Sequence, residues 1–275
     1  RLSPKDFALS QKAVQAIFAV LSSFYHYLIQ EEAMAYNPVA QIRQKSKFIR
    51  KTQHSPVVRR LSELQWSYVI DTALSMAQQD ARHERTLFIM NSLYGMYLRI
   101  SELTSSARWQ PQMGDFICDH DQNWWFKTVG KGNKERLISV SDAMLTALKR
   151  YRKSMGLGNL PPPGDSTPLI LSERGNTPIS STRQIRNIVQ HCFDAAVSQL
   201  RQDGFEDEAE SLQSATVHWL RHTGISDDVK HRPREHVRDD AGHGSSAITD
   251  HYIDVEHRAR HASAKKKQIH PDDKS

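Results

Sequence analysis

The chain has 275 residues, 38% of them hydrophobic, with 37 Lys and Arg against 31 Asp and Glu, a formal charge of +6 and a pI near 9.3. That length fits one large domain or two smaller ones with a real core, and the basic balance favours a polyanionic partner without proving one. The two distant cysteines, Cys118 and Cys192, argue against a disulfide scaffold and suit a reducing cytosol, the apolar runs fall short of the roughly 18–20 residues that span a bilayer, and the polar start, RLSPKDF, does not read as a signal peptide.

The first residue is Arg rather than Met, which fits a fragment of a longer chain. Residues 9–33 read as an amphipathic helix: Val14, Ile17, Phe18, Leu21, Tyr25 and Leu28 recur at helical spacing, as an ordinary core stripe does, and Asn37-Pro38 stops the helix. The run QIRQKSKFIRKTQHSPVVRR that follows carries Arg43, Lys45, Lys47, Arg50, Lys51, Arg59 and Arg60 with no acid among them. It reads either as a solvated linker or as one lying along phosphates; in the second reading Lys45, Lys47, Arg50 and Lys51 are the DNA-binding candidates.

A second helical region starts near Leu61, where Ser62 and Gln65 make a capping-box pattern. Another helix, over about 83–97, leads into YGMYLRISELT. Arg99 there lies among Leu98, Ile100 and Leu103, and a charge in apolar company is costly unless paired. Glu102 is the natural partner: it forms a plain salt bridge, or it orients Arg99 toward an outside anion. Residues 116–118, 124–129 and 136–140 read as strands, and the turn GKGNK at 130–134 marks a β-hairpin. The lysines at its tip, Lys131 and Lys134, are of a kind that is ordinarily just solvated, yet a flexible ammonium there can reach a phosphate or a leaving oxygen. Ser141 caps a helix to about Met155 with Gly156 as its stop; PPPGDSTP is a surface loop; a helix near 181–200 follows, then a solvated acidic stretch, DGFEDEAE.

In TVHWLRHTGIS, His218 and Arg221 are three apart and share a helix face, where an Arg fork and a His donor can hold one anion. Gly242-His243-Gly244 breaks the chain, and Ser245 and Ser246 can cap a new helix that carries Tyr252 about two turns on. Each residue alone is more often a packing group. Together the anion clamp, His243 and Tyr252 make a phosphoryl-transfer site. The pairs His218/His222 and His257/His261 have the i, i+4 spacing of metal ligands but no third ligand, so no metal is expected. The tail, HRARHASAKKKQIHPDDKS, has too few apolar residues to fold alone.

Taken in order, these pieces resemble the tyrosine recombinase (phage integrase) family. YLRISEL resembles the segment with the family's first arginine, here Arg99 with Glu102 behind it. VGKGNKERLISV resembles the catalytic-lysine hairpin, which points to Lys131, with Lys134 the second candidate; HWLRHTG resembles the HxxR box, His218 and Arg221; and AGHGSSAITDHYIDV resembles the closing box, His243 and Tyr252. The likeness covers about 57–256. It implies a mainly α fold with a small antiparallel sheet: a partial helical core-binding domain over 1–52, a basic linker over 53–60, a catalytic domain over 61–258 and a basic, polar tail over 259–275. Two departures bear on packing: DDVKHRPREHVRDDAGH is polar where the family has mainly apolar helices, and Ala241 stands where Leu is common.

The resemblance further implies an enzyme that cuts and rejoins DNA through a 3′-phosphotyrosyl intermediate, with no cofactor or metal. Its partner is double-stranded DNA bearing a specific recombination site. Four protomers would act on two sites, the tail of each docked on a neighbour, in the cytoplasm at the nucleoid and away from any membrane. A type IB topoisomerase-like enzyme and a DNA-binding regulator without chemistry are the alternatives. The KGNKER hairpin weighs against the first, and the full set of six catalytic candidates weighs against the second.

Overall fold

The computed structural model describes residues 9, 11–45, 59–130, 134–172, 177–242, 261–265 and 267–269. The chain divides into two units, Arg1–Val58 and Arg59–Ser275. In the first, α1 (Gln11–Gln30) is followed by α2 (Pro38–Lys45). α1 ends at Gln30, short of the stop expected at Asn37-Pro38, and Asn37 starts the next helix instead. Its side-chain oxygen accepts from the backbone N–H of Val39 at 3.0 Å and of Ala40 at 3.3 Å, starting α2, while its amide donates to Ser22 O at 3.1 Å and Oγ at 3.0 Å on α1. The basic run therefore begins as helix: Lys45 ends α2 instead of lying in a linker, whereas Lys47, Arg50 and Lys51 fall outside the described residues. Of the stripe expected to form a core on α1, Ile17 and Leu21 are exposed and Val14, Phe18, Tyr25 and Leu28 are half-buried. Contrary to the expectation from sequence, Ala13–Gln30 is long and apolar enough to cross a bilayer, although one such helix does not by itself indicate a membrane.

The second unit is built around α4 (Glu84–Gly95), in which Leu87, Phe88, Ile89, Met90 and Leu93 are all buried. A helix apolar on every side must be surrounded; α3 (Glu63–Gln79), α5 (Asp142–Ser154), α6 (Thr182–Gln202) and α8 (Val217–Asp228) pack against it. The capping box at the start of α3 is present: Ser62 Oγ accepts from the Gln65 N–H at 3.1 Å and Gln65 Oε1 from the Ser62 N–H at 3.0 Å. Gln65 also donates to the Glu208 carbonyl at 2.9 Å. That contact belongs to a helix the acidic composition concealed. Glu206–Gln213 forms α7; its acidic stretch is largely exposed, as expected, but the helix buries Ala209 and Leu212 against the core.

Strands β1 (Phe116–Cys118), β2 (Trp124–Val129) and β3 (Glu135–Ser139) form one antiparallel sheet in that order, with Phe126 paired to both Phe116 and Ile138. The fold is thus mainly α with a small antiparallel sheet, as expected. The tail departs from expectation. Residues 261–265 are helical, His261 Nε2 lies 2.9 Å from the Trp124 carbonyl, and Trp66 Nε1 donates to the Ile269 carbonyl at 2.7 Å. Ala264, Lys267 and Ile269 are buried in their own chain. A segment too polar to form a core alone packs, in its described residues, against one that already exists.

The crossing of α8 over α4 is set by Gly224. A Cβ added there would stand 2.1 Å from the Tyr94 carbonyl oxygen, so the two helix backbones touch. Arg221, one turn earlier on α8, is thereby brought over the end of α4. Gly224→Ala must push the helices apart, and the expected loss is about 2 kcal/mol or more. A fall in the urea midpoint at unchanged slope checks this; an unchanged midpoint contradicts the contact.

Candidate active site

Four residues beyond the end of α4, Arg99 is extended and opens a short 3-10 turn, Ile100–Glu102. The Glu102 side chain folds back over that turn and is 1% exposed. Its Oε2 accepts from the Arg99 backbone N–H at 2.7 Å and its Oε1 from Arg99 Nη1 at 3.0 Å. Both oxygens also accept from Arg136 on β3, Oε1 from Nη1 at 2.8 Å and Oε2 from Nη2 at 2.9 Å. The partnership foreseen at i, i+3 is real but shared. A two-pronged guanidinium–carboxylate pair fixes orientation as well as charge, so Glu102 joins the Arg99 turn to the hairpin. Arg136 was not foreseen. Its one local signal is its place in KERLIS, next to the hairpin turn.

Arg221 is 2% exposed and is held by backbone oxygens: Nη1 donates to the Tyr97 carbonyl and Nη2 to the Ala241 carbonyl. Tyr97 has φ +52°, a left-handed conformation costing a residue with a Cβ about 1–3 kcal/mol. That conformation aims its carbonyl at Arg221. Ala241 ends α9 (Arg234–Ala241), and Gly242 caps it with φ +63°. The next carbonyl, Gly242 O, accepts a long 3.5 Å contact from Arg99 Nη2. Burial, with the charges of Arg99 and Arg136, pushes the Arg221 guanidinium down to about 10. It remains a cation at neutral pH, but a crowded one.

His218 lies one turn before Arg221 on α8 and is exposed, with its ring edge-on to His222 at 4.4 Å. Lys134 is exposed, and its carbonyl accepts from the Gly130 N–H at 2.9 Å, closing the hairpin. The structure thus brings Arg99, Glu102 and Arg221 together and sets His218 on the open face of the same helix. Lys131, His243 and Tyr252 lie outside the described residues, which end on either side of them at Gly130 and Lys134, and at Gly242 and His261.

Behind Arg221, the polar segment that seemed poor material for a core makes a buried network. Arg232 Nη1 donates to Asp228 Oδ2 at 2.9 Å and to the Tyr97 hydroxyl at 3.0 Å, and Nη2 to Asp240 Oδ2 at 2.6 Å. The Tyr97 hydroxyl donates to Asp228, and Asp240 Oδ1 accepts from the Ser139 N–H at 3.0 Å on β3. Lys267 of the tail completes it, with Nζ 3.0 Å from Asp228 Oδ1 and 4.2 Å from the centre of the Tyr94 ring. Buried charges survive only when paired and hydrogen-bonded, and these are. Burial opposes the charge on Asp228, but Lys267 and Arg232 together hold its carboxyl below the usual 3.8.

The profile of the phage integrase family matches residues 61–259. The chain is 29% identical over 143 residues to tyrosine recombinase XerD of Listeria monocytogenes, covering 52% of this chain and 42% of that one, so it spans less than half of that relative. With tyrosine recombinase XerC of Alcanivorax borkumensis it is 26% identical over 253 residues, 91% of this chain and 72% of the other. Among solved structures, the Tn1549 transposon integrase in complex with transposon right-end DNA superposes with a TM-score of 0.56 at 15% identity, over 92% of this chain and 81% of that one. The XerH site-specific recombinase bound to palindromic difH substrate gives 0.51 at 14% identity, over 86% and 59%. At such identities the likeness to the solved structures speaks for the fold.

The buried network makes a prediction about acid. Because the Asp228 carboxyl is held below its usual 3.8, its contribution to stability is present above that pH and is lost as pH falls through the lowered value. Asp228→Asn strands Lys267 and Arg232 with reduced pairing, so about 3–5 kcal/mol should go at pH 7, with a shallower acid limb. Urea unfolding between pH 3 and pH 7 reads both. A variant as stable as the parent at pH 7 contradicts the network.

Proposed function

The chain belongs to the phage integrase family, and from that premise we propose that it cuts and rejoins DNA strands at a specific site through a covalent 3′-phosphotyrosyl intermediate. The observation that carries the reading is the convergence of two arginines from distant segments. Arg221 donates to the Ala241 carbonyl and Arg99 reaches the next one, Gly242, so both guanidiniums reach the first two residues of the closing box. A scissile phosphate gripped there meets the exposed donors of Arg99 with the buried charge of Arg221 behind them, and its transition state gains charge where these cations are already fixed. His218, exposed and one turn from Arg221, adds a donor to the same phosphate.

Tyr252 is the proposed nucleophile. A phenol has a pKa of about 10, so its loss of a proton is helped by the positive charge of the cluster. Its oxygen bonds to phosphorus, the 5′ oxygen leaves, and Lys131 protonates that oxygen as general acid, with Lys134 the alternative. His243 hydrogen-bonds the phosphate. Rejoining is the reverse, a 5′ hydroxyl displacing the tyrosine; the ester conserves the bond energy, so no nucleotide cofactor enters. The partner is double-stranded DNA with a specific site, in keeping with the DNA held by the Tn1549 integrase and XerH in their structures. Four protomers on two sites, acting at the nucleoid, complete the reading. Lys45, Lys47, Arg50 and Lys51 are its contacts to the phosphate backbone, and residues 1–52, 53–60, 61–258 and 259–275 are its core-binding domain, linker, catalytic domain and tail.

A nicked suicide substrate carrying the mapped site should trap a DNA adduct on Tyr252, seen on a denaturing gel and placed by peptide mass. Tyr252→Phe should bind the site and give no adduct. An adduct on another residue, or one that persists in Tyr252→Phe, contradicts the assignment.

Cleavage should also proceed in excess EDTA, since the cationic side chains supply the charge a metal otherwise would. Loss of cleavage on chelation, restored by a divalent ion, would remove this mechanism.

A further inference from the structure

Around Glu102 stand three guanidiniums, those of Arg99, Arg136 and Arg221, and they are not equivalent. Arg221 is fixed by carbonyl oxygens. Arg99 gives the carboxylate one side-chain hydrogen bond and keeps 29% of its side chain exposed. Arg136 is 11% exposed and gives both prongs to Glu102. It is also tightly enclosed. A Cβ at Gly242 would stand 2.9 Å from Arg136 Cδ and Nη1, and one at Gly130 would stand 3.2 Å from Nη1. Of the two glycines that bracket it, Gly242 is the second residue of the closing box and Gly130 is the first of the hairpin turn. Its backbone is anchored in the sheet, where it pairs with Thr128.

The electrostatic consequence follows from geometry. A carboxylate paired to one guanidinium cancels its charge for an outside anion. A carboxylate already taken by a second fork leaves the first guanidinium with both a net charge and spare donors. We propose that Arg136 is a positioning residue: it engages Glu102 through both nitrogens, so that Arg99 is oriented by the carboxylate yet keeps outward donors and charge for the phosphate, and it ties strand β3 to that clamp. The inference rests on the recombinase reading of the site and adds a residue that touches no substrate.

The test is a double-mutant cycle on single-turnover cleavage of the mapped DNA site, with site affinity and melting temperature measured in parallel. Arg136→Gln should slow cleavage about tenfold or more while affinity stays within about threefold, because many cations share the duplex contact. Adding Glu102→Gln to it removes the carboxylate that would then turn wholly onto Arg99, and should recover at least about threefold of the rate. Simple multiplication of the two single losses, or wild-type cleavage by Arg136→Gln, overturns the proposal. If Arg136→Gln does not fold, Arg136→Lys is read instead: it keeps the charge and loses the fork, and a wild-type rate with intact melting overturns the proposal equally. Failure of the parent to form any adduct overturns the recombinase reading, whereas a parent that cleaves beside an Arg136 variant that also cleaves normally overturns only this one.

Discussion

The buried Glu102 carboxylate accepts from the Arg99 backbone, the Arg99 side chain and both prongs of Arg136. Through it the turn after α4 and the strand β3 become one rigid piece. An acid at 1% exposure is tolerable only because each lone pair that needs a donor has one and because cations surround it. Cluster and carboxylate depend on each other. Without the acid, guanidiniums this close repel; without the guanidiniums, the acid cannot be buried. The residual charge of the cluster is positive.

The second arginine is held by different means. Arg221 takes backbone carbonyls, which carry no net charge, and these are delivered by two local devices: the left-handed Tyr97 and the αL cap at Gly242. Gly224 lets α8 approach α4 closely enough for the first of them to be reached. Behind, the network of Asp228, Arg232, Asp240 and Lys267 fastens Tyr97, α9, β3 and the tail to each other. Polar composition thus replaces an apolar helix interface, and the site is braced by paired charge from below.

What was legible in the sequence follows from range. Local signals held well: the Ser62–Gln65 box, the Ser141 cap, the hairpin and the Arg99–Glu102 spacing all act over three or four residues. Arg136 meets Glu102 across 34 residues of chain and Lys267 meets Asp228 across 39, and no periodicity reports such encounters. In α7 two buried residues, Ala209 and Leu212, were outvoted by their acidic neighbours. Asn37 was read as a stop because X-Pro usually ends helices, yet Asn followed by Pro at the first helical position is also a start signal. His218 and Arg221 were read as one helix face, yet Arg221 is buried and His218 exposed; Lys131, His243 and Tyr252 lie outside the described residues and carry roles that only chemistry can establish.

The central claim is that the fixed guanidiniums of the cluster, Arg99 and Arg221, act on the negative charge of a scissile phosphate. Replacing that one phosphate in the DNA site by a neutral methylphosphonate tests it most directly. On the natural phosphodiester, Arg221→Ala should lose about 100-fold or more in cleavage rate, the usual scale for removing one transition-state donor. On the methylphosphonate, with no such charge to hold, the same substitution should cost far less, within about tenfold. Equal losses on the two substrates would show that Arg221 serves the fold and not the phosphate, and the account would fail.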